Sequence, residues 1–77
     1  RKEAMFEAMM LGLRMNSGIS GTDFQRRFGT SIRSVYEAPL EQAVQNGLGL
    51  WTADGGYRLT AKGLLLENAV AVELMDA

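Results

Sequence analysis

One segment, LGLWTADGGYRLT at residues 48–60, constrains this chain more than any other. Two short runs of alternating side chains flank Asp54-Gly55-Gly56, and the glycines supply the positive φ angles that a tight antiparallel reversal needs. The spacing predicts a β-hairpin with Leu48 and Leu50 on one face and Gly49 and Trp51 on the other. Tyr57 and Leu59 alternate with Arg58 and Thr60 on the return strand. Trp51, on the outer face, is expected to be partly exposed, packing against the last helix or stacking on Arg58 across the hairpin. An isolated hairpin is marginal in water, so the remaining residues have to cover it, and their pattern is helical.

A first helix is expected from about Lys2 to Met15. At about 100° per residue, Glu3, Glu7 and Arg14 fall on one narrow stripe. Nearly all the rest is apolar: Met5, Phe6, Met9, Met10, Leu11, Leu13 and Met15. A surface helix ordinarily buries one stripe and shows a broad polar face; here the proportions are reversed. Met9 and Leu13 are expected in the domain's own core. Met10, Leu11 and Met15 are candidates to face another part of an intact protein, methionine being suited to adaptable contact surfaces. Gly12 costs about 1 kcal/mol relative to Ala in mid-helix and suggests close approach by a neighbouring element. Asn16-Ser17-Gly18 then stops the helix, with Gly18 left-handed.

Ile19 is expected to make a one-residue contact to the sheet. Ser20, with Asp23 three positions on, forms a variant capping box for a short helix from Gly21 to Phe28, whose Phe24 and Phe28 share a face. Gly29 ends it. Ser31 is the candidate N-cap of a third helical pattern whose apolar face is Ile32, Val35, Tyr36, Leu40, Ala43 and Val44. Pro39 lies inside it; of a kink or a break near Glu37, the break is preferred, with Pro39 in the first turn of the second half. Gly47 caps the end. Thr60 caps a last helix from about Ala61 to Met75, with Leu65, Leu66, Ala69, Val70, Val72 and Leu74 as its apolar positions. The expected fold class is therefore mainly α with a small β-hairpin: a winged-helix-like domain with an added C-terminal helix.

The 77 residues suffice for one small domain and include neither cysteine nor histidine. Disulfides and thiolate metal sites are excluded, and the commonest neutral-pH general base is missing. A cytoplasmic setting fits a cysteine-free chain. The formal net charge is −1, a poor footprint for nucleic acid. The would-be reading helix carries Glu37 and Glu41 against Arg33, and Arg26, Arg27 and Arg58 are scattered. A DNA-binding winged-helix module of a regulator is thus the second reading. Asp54 reads as a turn residue, and no nucleophile, base and orienting group assemble, so no catalytic, cofactor or metal residue is assigned. No apolar run reaches the length of a membrane span.

The strings EAMMLGLRMNSGIS, FQRRFG, LEQAVQNGLGLW and YRLTAKGLLLENAV, in this order, resemble the C-terminal domain of the oxygen-independent coproporphyrinogen III oxidase family, which includes radical-SAM haem chaperones. The resemblance covers nearly the whole chain. It implies a parent protein whose N-terminal radical-SAM barrel holds a [4Fe–4S] cluster and S-adenosylmethionine, and which acts in porphyrin biosynthesis or haem delivery. Residues 1–77 would then form one accessory, non-catalytic C-terminal domain cut from that parent, in keeping with a start inside a helical pattern. Its expected partner is the barrel, with porphyrin or haem a further candidate. The expected interdomain contact is Met10, Leu11, Arg14 and Met15. Arg14 would pair with a barrel carboxylate or a propionate, or else with Glu3 or Glu7 of its own helix.

Overall fold

The computed structural model describes residues 2–75. Five helices and two strands follow one another: α1 (Lys2–Leu13), α2 (Gly21–Phe28), α3 (Ile32–Gln45), β1 (Gly49–Trp51), β2 (Tyr57–Leu59), α4 (Ala61–Leu65) and α5 (Glu67–Met75). The predominance of helix around one antiparallel hairpin is as expected, and the order is compatible with a winged-helix-like description.

The three hydroxyl caps expected from the sequence all form. Ser20, Ser31 and Thr60 accept from the amides of Asp23, Ser34 and Gly63, satisfying donors that the first helical turn leaves unpaired. The capping box at Ser20 is one-sided, because the Asp23 carboxylate accepts from Arg26 at 3.2 Å. α1 ends at Leu13, two residues before the expected Met15. Gly12 does mark a close approach: a Cβ there would lie 2.5 Å from the Cβ of Ile19.

The α3 backbone leaves helical geometry at Tyr36, with φ −123° and ψ 22°. This is the break expected from Pro39, one residue earlier than the sequence suggests. The proline ring crowds the carbonyl four residues back, at Val35, so the distortion falls just after that residue and Pro39 rides in the first turn of the second half. The last helical segment departs from expectation. It is two helices, interrupted at Leu66, which has φ −111° and ψ 28°. α4 rests on β2, while α5 lies along α3 and reaches α1. The change of direction sends Val70 and Leu74 into the core and leaves Leu65 and Val72 exposed.

The hairpin pairs Gly49 with Leu59, Leu50 with Arg58 and Trp51 with Tyr57. Its inward face is therefore the opposite of the one expected. Leu50 is 42% exposed, whereas Trp51 packs against the core, and Leu48 is half-buried at the strand's entry. The reason is Gly49, which is buried because a Cβ there would overlap the Tyr57 ring. The glycine makes room for Tyr57, which is fully buried, takes Trp51 edge-on at a centroid separation of 4.8 Å, and donates its hydroxyl to the Leu40 carbonyl at 2.8 Å. Ile19 extends the sheet by a single bridge, exchanging backbone hydrogen bonds of 2.8 and 3.1 Å with Tyr57. Tyr57 thus joins α1's exit, the bend-distal half of α3 and both strands.

Burial, then the charge of Glu41, pushes the Tyr57 phenol up to about 12. Tyr57→Phe is expected to lower stability by about 1 kcal/mol at neutral pH, the net worth of a buried hydrogen bond, with an unchanged urea m-value. The raised folded pKa means that the wild type is at full strength below the ordinary phenol value of 10.0 and loses stability as pH rises from there toward 12. The Phe variant lacks that contribution to the loss, so urea midpoints of the two proteins should converge on the alkaline side.

Candidate interaction surface

Leu11 follows Met9 by two positions, or about 200° of helix. Because Met9 is fully buried, Leu11 points nearly away from the core and is 69% exposed. Met15, just past the helix end, is 58% exposed. Met10 is half-buried against the core. Arg14 is not paired with Glu3 or Glu7; its Nε lies 3.3 Å from a carboxylate oxygen of Glu67, at the start of α5. Of the four residues expected at an interdomain contact, Leu11 and Met15 are thus presented outward, Met10 faces partly inward, and Arg14 ties α1 to α5. The same ion pair brings the end of α1 to the α4–α5 corner, where Leu65 is 86% exposed. The sequence reading counted Leu65 and Leu66 among the apolar positions of one continuous helix; the interruption at Leu66 carries no proline to announce it.

A cleft of about 220 Å³ runs between α1 and α2. Ala8, Leu11 and Gly12 follow one another at i, i+3 and i+4 along one wall, and Ile19, Phe24 and Phe28 contribute further apolar lining. Arg27 stands at its rim, its guanidinium 5.0 Å from the centre of the Phe28 ring. Asp23, also on the rim, pairs with Arg26 at 3.2 Å. Arg27 has no ion pair among the described residues.

The residues of a DNA-reading helix are engaged elsewhere. Arg33 pairs with Glu37 at 3.2 Å and approaches Glu41 at 3.9 Å. It also stacks over Trp51 at 4.1 Å, so the cation on Trp51 is Arg33 and not Arg58. The indole N–H of Trp51 donates to Glu41 at 3.1 Å. Glu37 and Glu41 therefore neutralise and orient α3's own arginine.

Among the carboxylates of the described residues, Asp54 accepts the most hydrogen bonds, and its role is structural. It accepts five hydrogen bonds: from the Thr52 hydroxyl and the Gly56 amide within the turn, and from the Ser20 hydroxyl and the Gly21 and Thr22 amides at the start of α2. The turn residue is in this way a second cap for a helix more than thirty positions away. The sequence showed its local half; the link to α2 is long-range and left no mark in spacing. Chiefly the Thr52 hydroxyl, then the Thr22 amide, with Gly56 and Ser20, hold its carboxyl far below the ordinary carboxylate range. Among the described residues no cluster of three metal-ligating side chains forms, and no helix is long and apolar enough to cross a membrane.

These features define a small, mainly helical domain with outward apolar side chains on α1 and at the α4–α5 corner, whose best-placed carboxylates serve structure. Residues 1–66 match the model of the family described as the HemN C-terminal domain. Over 69 residues, 90% of this chain, the sequence is 32% identical to a protein named heme chaperone HemW from Bacillus subtilis (strain 168). The match covers 18% of that relative's length. No solved structure gives a significant match. The chain belongs to the HemN C-terminal domain family.

Because Asp54 is held ionised, the unfolded chain takes up its proton first as pH falls. The clasp is at full strength above the ordinary carboxyl value of 3.8 and weakens as pH drops below it. Asp54→Asn puts an amide nitrogen where backbone amides need an acceptor. It is expected to lower the melting temperature at neutral pH and to flatten the fall in melting temperature below about pH 4, as thermal scans followed by circular dichroism would show.

Proposed function

We propose that this domain is a non-catalytic accessory domain of a radical-SAM coproporphyrinogen III oxidase-like protein, cytoplasmic and working in porphyrin biosynthesis or haem delivery, and that it packs on the barrel of its parent chain. The observation that carries this reading is the outward pair Leu11 and Met15, on a chain spanning 18% of a relative named as a heme chaperone. Burying one such side chain is worth about 1.5–3 kcal/mol, so two of them supply a useful share of an interdomain contact. Met10 backs the contact from its half-buried position. Arg14 contributes by holding α1 against α5 through Glu67, a bridge whose exposure keeps its worth to at most about 1 kcal/mol.

The family's [4Fe–4S] cluster needs thiolates. This chain has no cysteine and does not fit that group, so in this reading the cluster and S-adenosylmethionine belong wholly to the barrel. A haem or porphyrin in transit would meet this domain only at the boundary with the barrel. The alternative of a DNA-reading module is disfavoured by the engagement of Arg33 with Glu37, Glu41 and Trp51.

The test compares the 77-residue chain with its full-length parent. Leu11→Glu with Met15→Glu should leave the unfolding midpoint of the isolated chain within about 0.5 kcal/mol of wild type, as for exposed sites generally. In the parent, the same pair should raise amide exchange in residues 8–15 and lower soluble yield. Equal exchange of those residues in the isolated wild-type chain and the wild-type parent would overturn the proposal.

A further inference from the structure

We infer that the cleft between α1 and α2 is the anchor socket of the docking surface, and that it receives an apolar side chain flanked by a carboxylate from the parent's preceding domain, the carboxylate pairing with Arg27. This inference rests on the interdomain reading and says which chemistry the contact selects.

Three observations support it. The cleft's volume of about 220 Å³ suits a protruding side chain of leucine, methionine or phenylalanine size and is far too small for a tetrapyrrole. Its floor is apolar and its walls are firm: Gly12 brings the α1 backbone against Ile19, and the latter is fixed by its two backbone hydrogen bonds to Tyr57. Rigid apolar pockets of this kind hold the anchors that dominate interface energetics. The rim supplies the charge. Asp23 is satisfied by Arg26, whereas Arg27 has only the Phe28 ring beneath it and no carboxylate among the described residues. A cation over an apolar pocket attracts a carboxylate beside the entering side chain and penalises a cation there. The occupant is assigned to the parent polypeptide because the matched region is 18% of the curated relative, which leaves ample chain to supply it.

The experiment places p-benzoylphenylalanine at Leu11 of the full-length parent, irradiates it, and maps the cross-linked peptide by mass spectrometry. Parallel Arg27→Glu, Arg27→Lys and Lys2→Glu variants are followed by amide exchange in α2. The expected result is an intrachain cross-link to an apolar residue with an Asp or Glu in the same peptide. Arg27→Glu should cut cross-link yield and α2 protection about tenfold, corresponding to about 1.4 kcal/mol. Arg27→Lys should preserve both, and so should Lys2→Glu, which makes the same charge change away from the cleft and leaves the Asp23–Arg26 pair intact. Unchanged melting of the isolated Arg27 variants separates lost docking from lost folding. A cross-linked peptide without a carboxylate, a cross-link joining two copies of the protein, or equal effects of Lys2→Glu and Arg27→Glu would overturn the inference. If Leu11→Glu with Met15→Glu disrupts docking while Arg27→Glu does not, the interdomain reading stands and only the socket falls.

Discussion

The structure turns on one side chain, Tyr57. Its backbone fastens the single-residue strand at Ile19, its ring fills the space that Gly49 leaves open, its edge meets Trp51, and its hydroxyl caps the Leu40 carbonyl. A hairpin with three residues per strand contributes too little ladder to hold itself together in water. It is held because a large aromatic residue joins it to helices on two sides. The cost of burying a phenol is met by a hydrogen bond to a fixed acceptor. The two neighbours that allow this geometry, Gly49 and the bent α3, are the residues whose sequence signatures look weakest for strand and helix.

That arrangement explains which parts of the fold were legible in the sequence. Local chemistry was legible. The caps at Ser20, Ser31 and Thr60, the left-handed glycines at 18, 29 and 47, and the break ahead of Pro39 each depend on residues within a few positions of one another. The inward face of the hairpin was not legible, because Leu48 and Leu50 are the more apolar pair by composition and the deciding fact is steric. Gly49 must face a ring that arrives from the opposite strand. The partner of Arg14 and the distant half of the Asp54 clasp escaped for the same reason. Each is set by how elements come together, and spacing along the chain carries no record of it.

The apolar surplus of α1 was readable as a quantity, though not as a map. The sequence showed more apolar arc than a small domain needs, and the structure divides that arc. Met5, Met9 and Leu13 are buried. Met10 packs partly onto the same core. What is left over is Leu11 and Met15, and the Arg14–Glu67 ion pair ties the end of the helix to the α4–α5 corner with its exposed leucines. Scattered exposed leucines are ordinary on any protein surface.

The position of α5 bears on what lies open beside α1. The family match stops at residue 66, and α5 begins at Glu67. Yet α5 places Val70 and Leu74 in the core and, through Glu67, pairs with Arg14 just past the end of α1. Between the two helices a groove remains, lined by Phe6 and Glu7 of α1 and Leu74 and Met75 of α5. α1 thus borders two open grooves, this one and, from Leu11 onward, the cleft toward α2. The α2 cleft is walled by a backbone held by the Ile19–Tyr57 bridge, so the residue that organises the interior also stiffens that part of the surface.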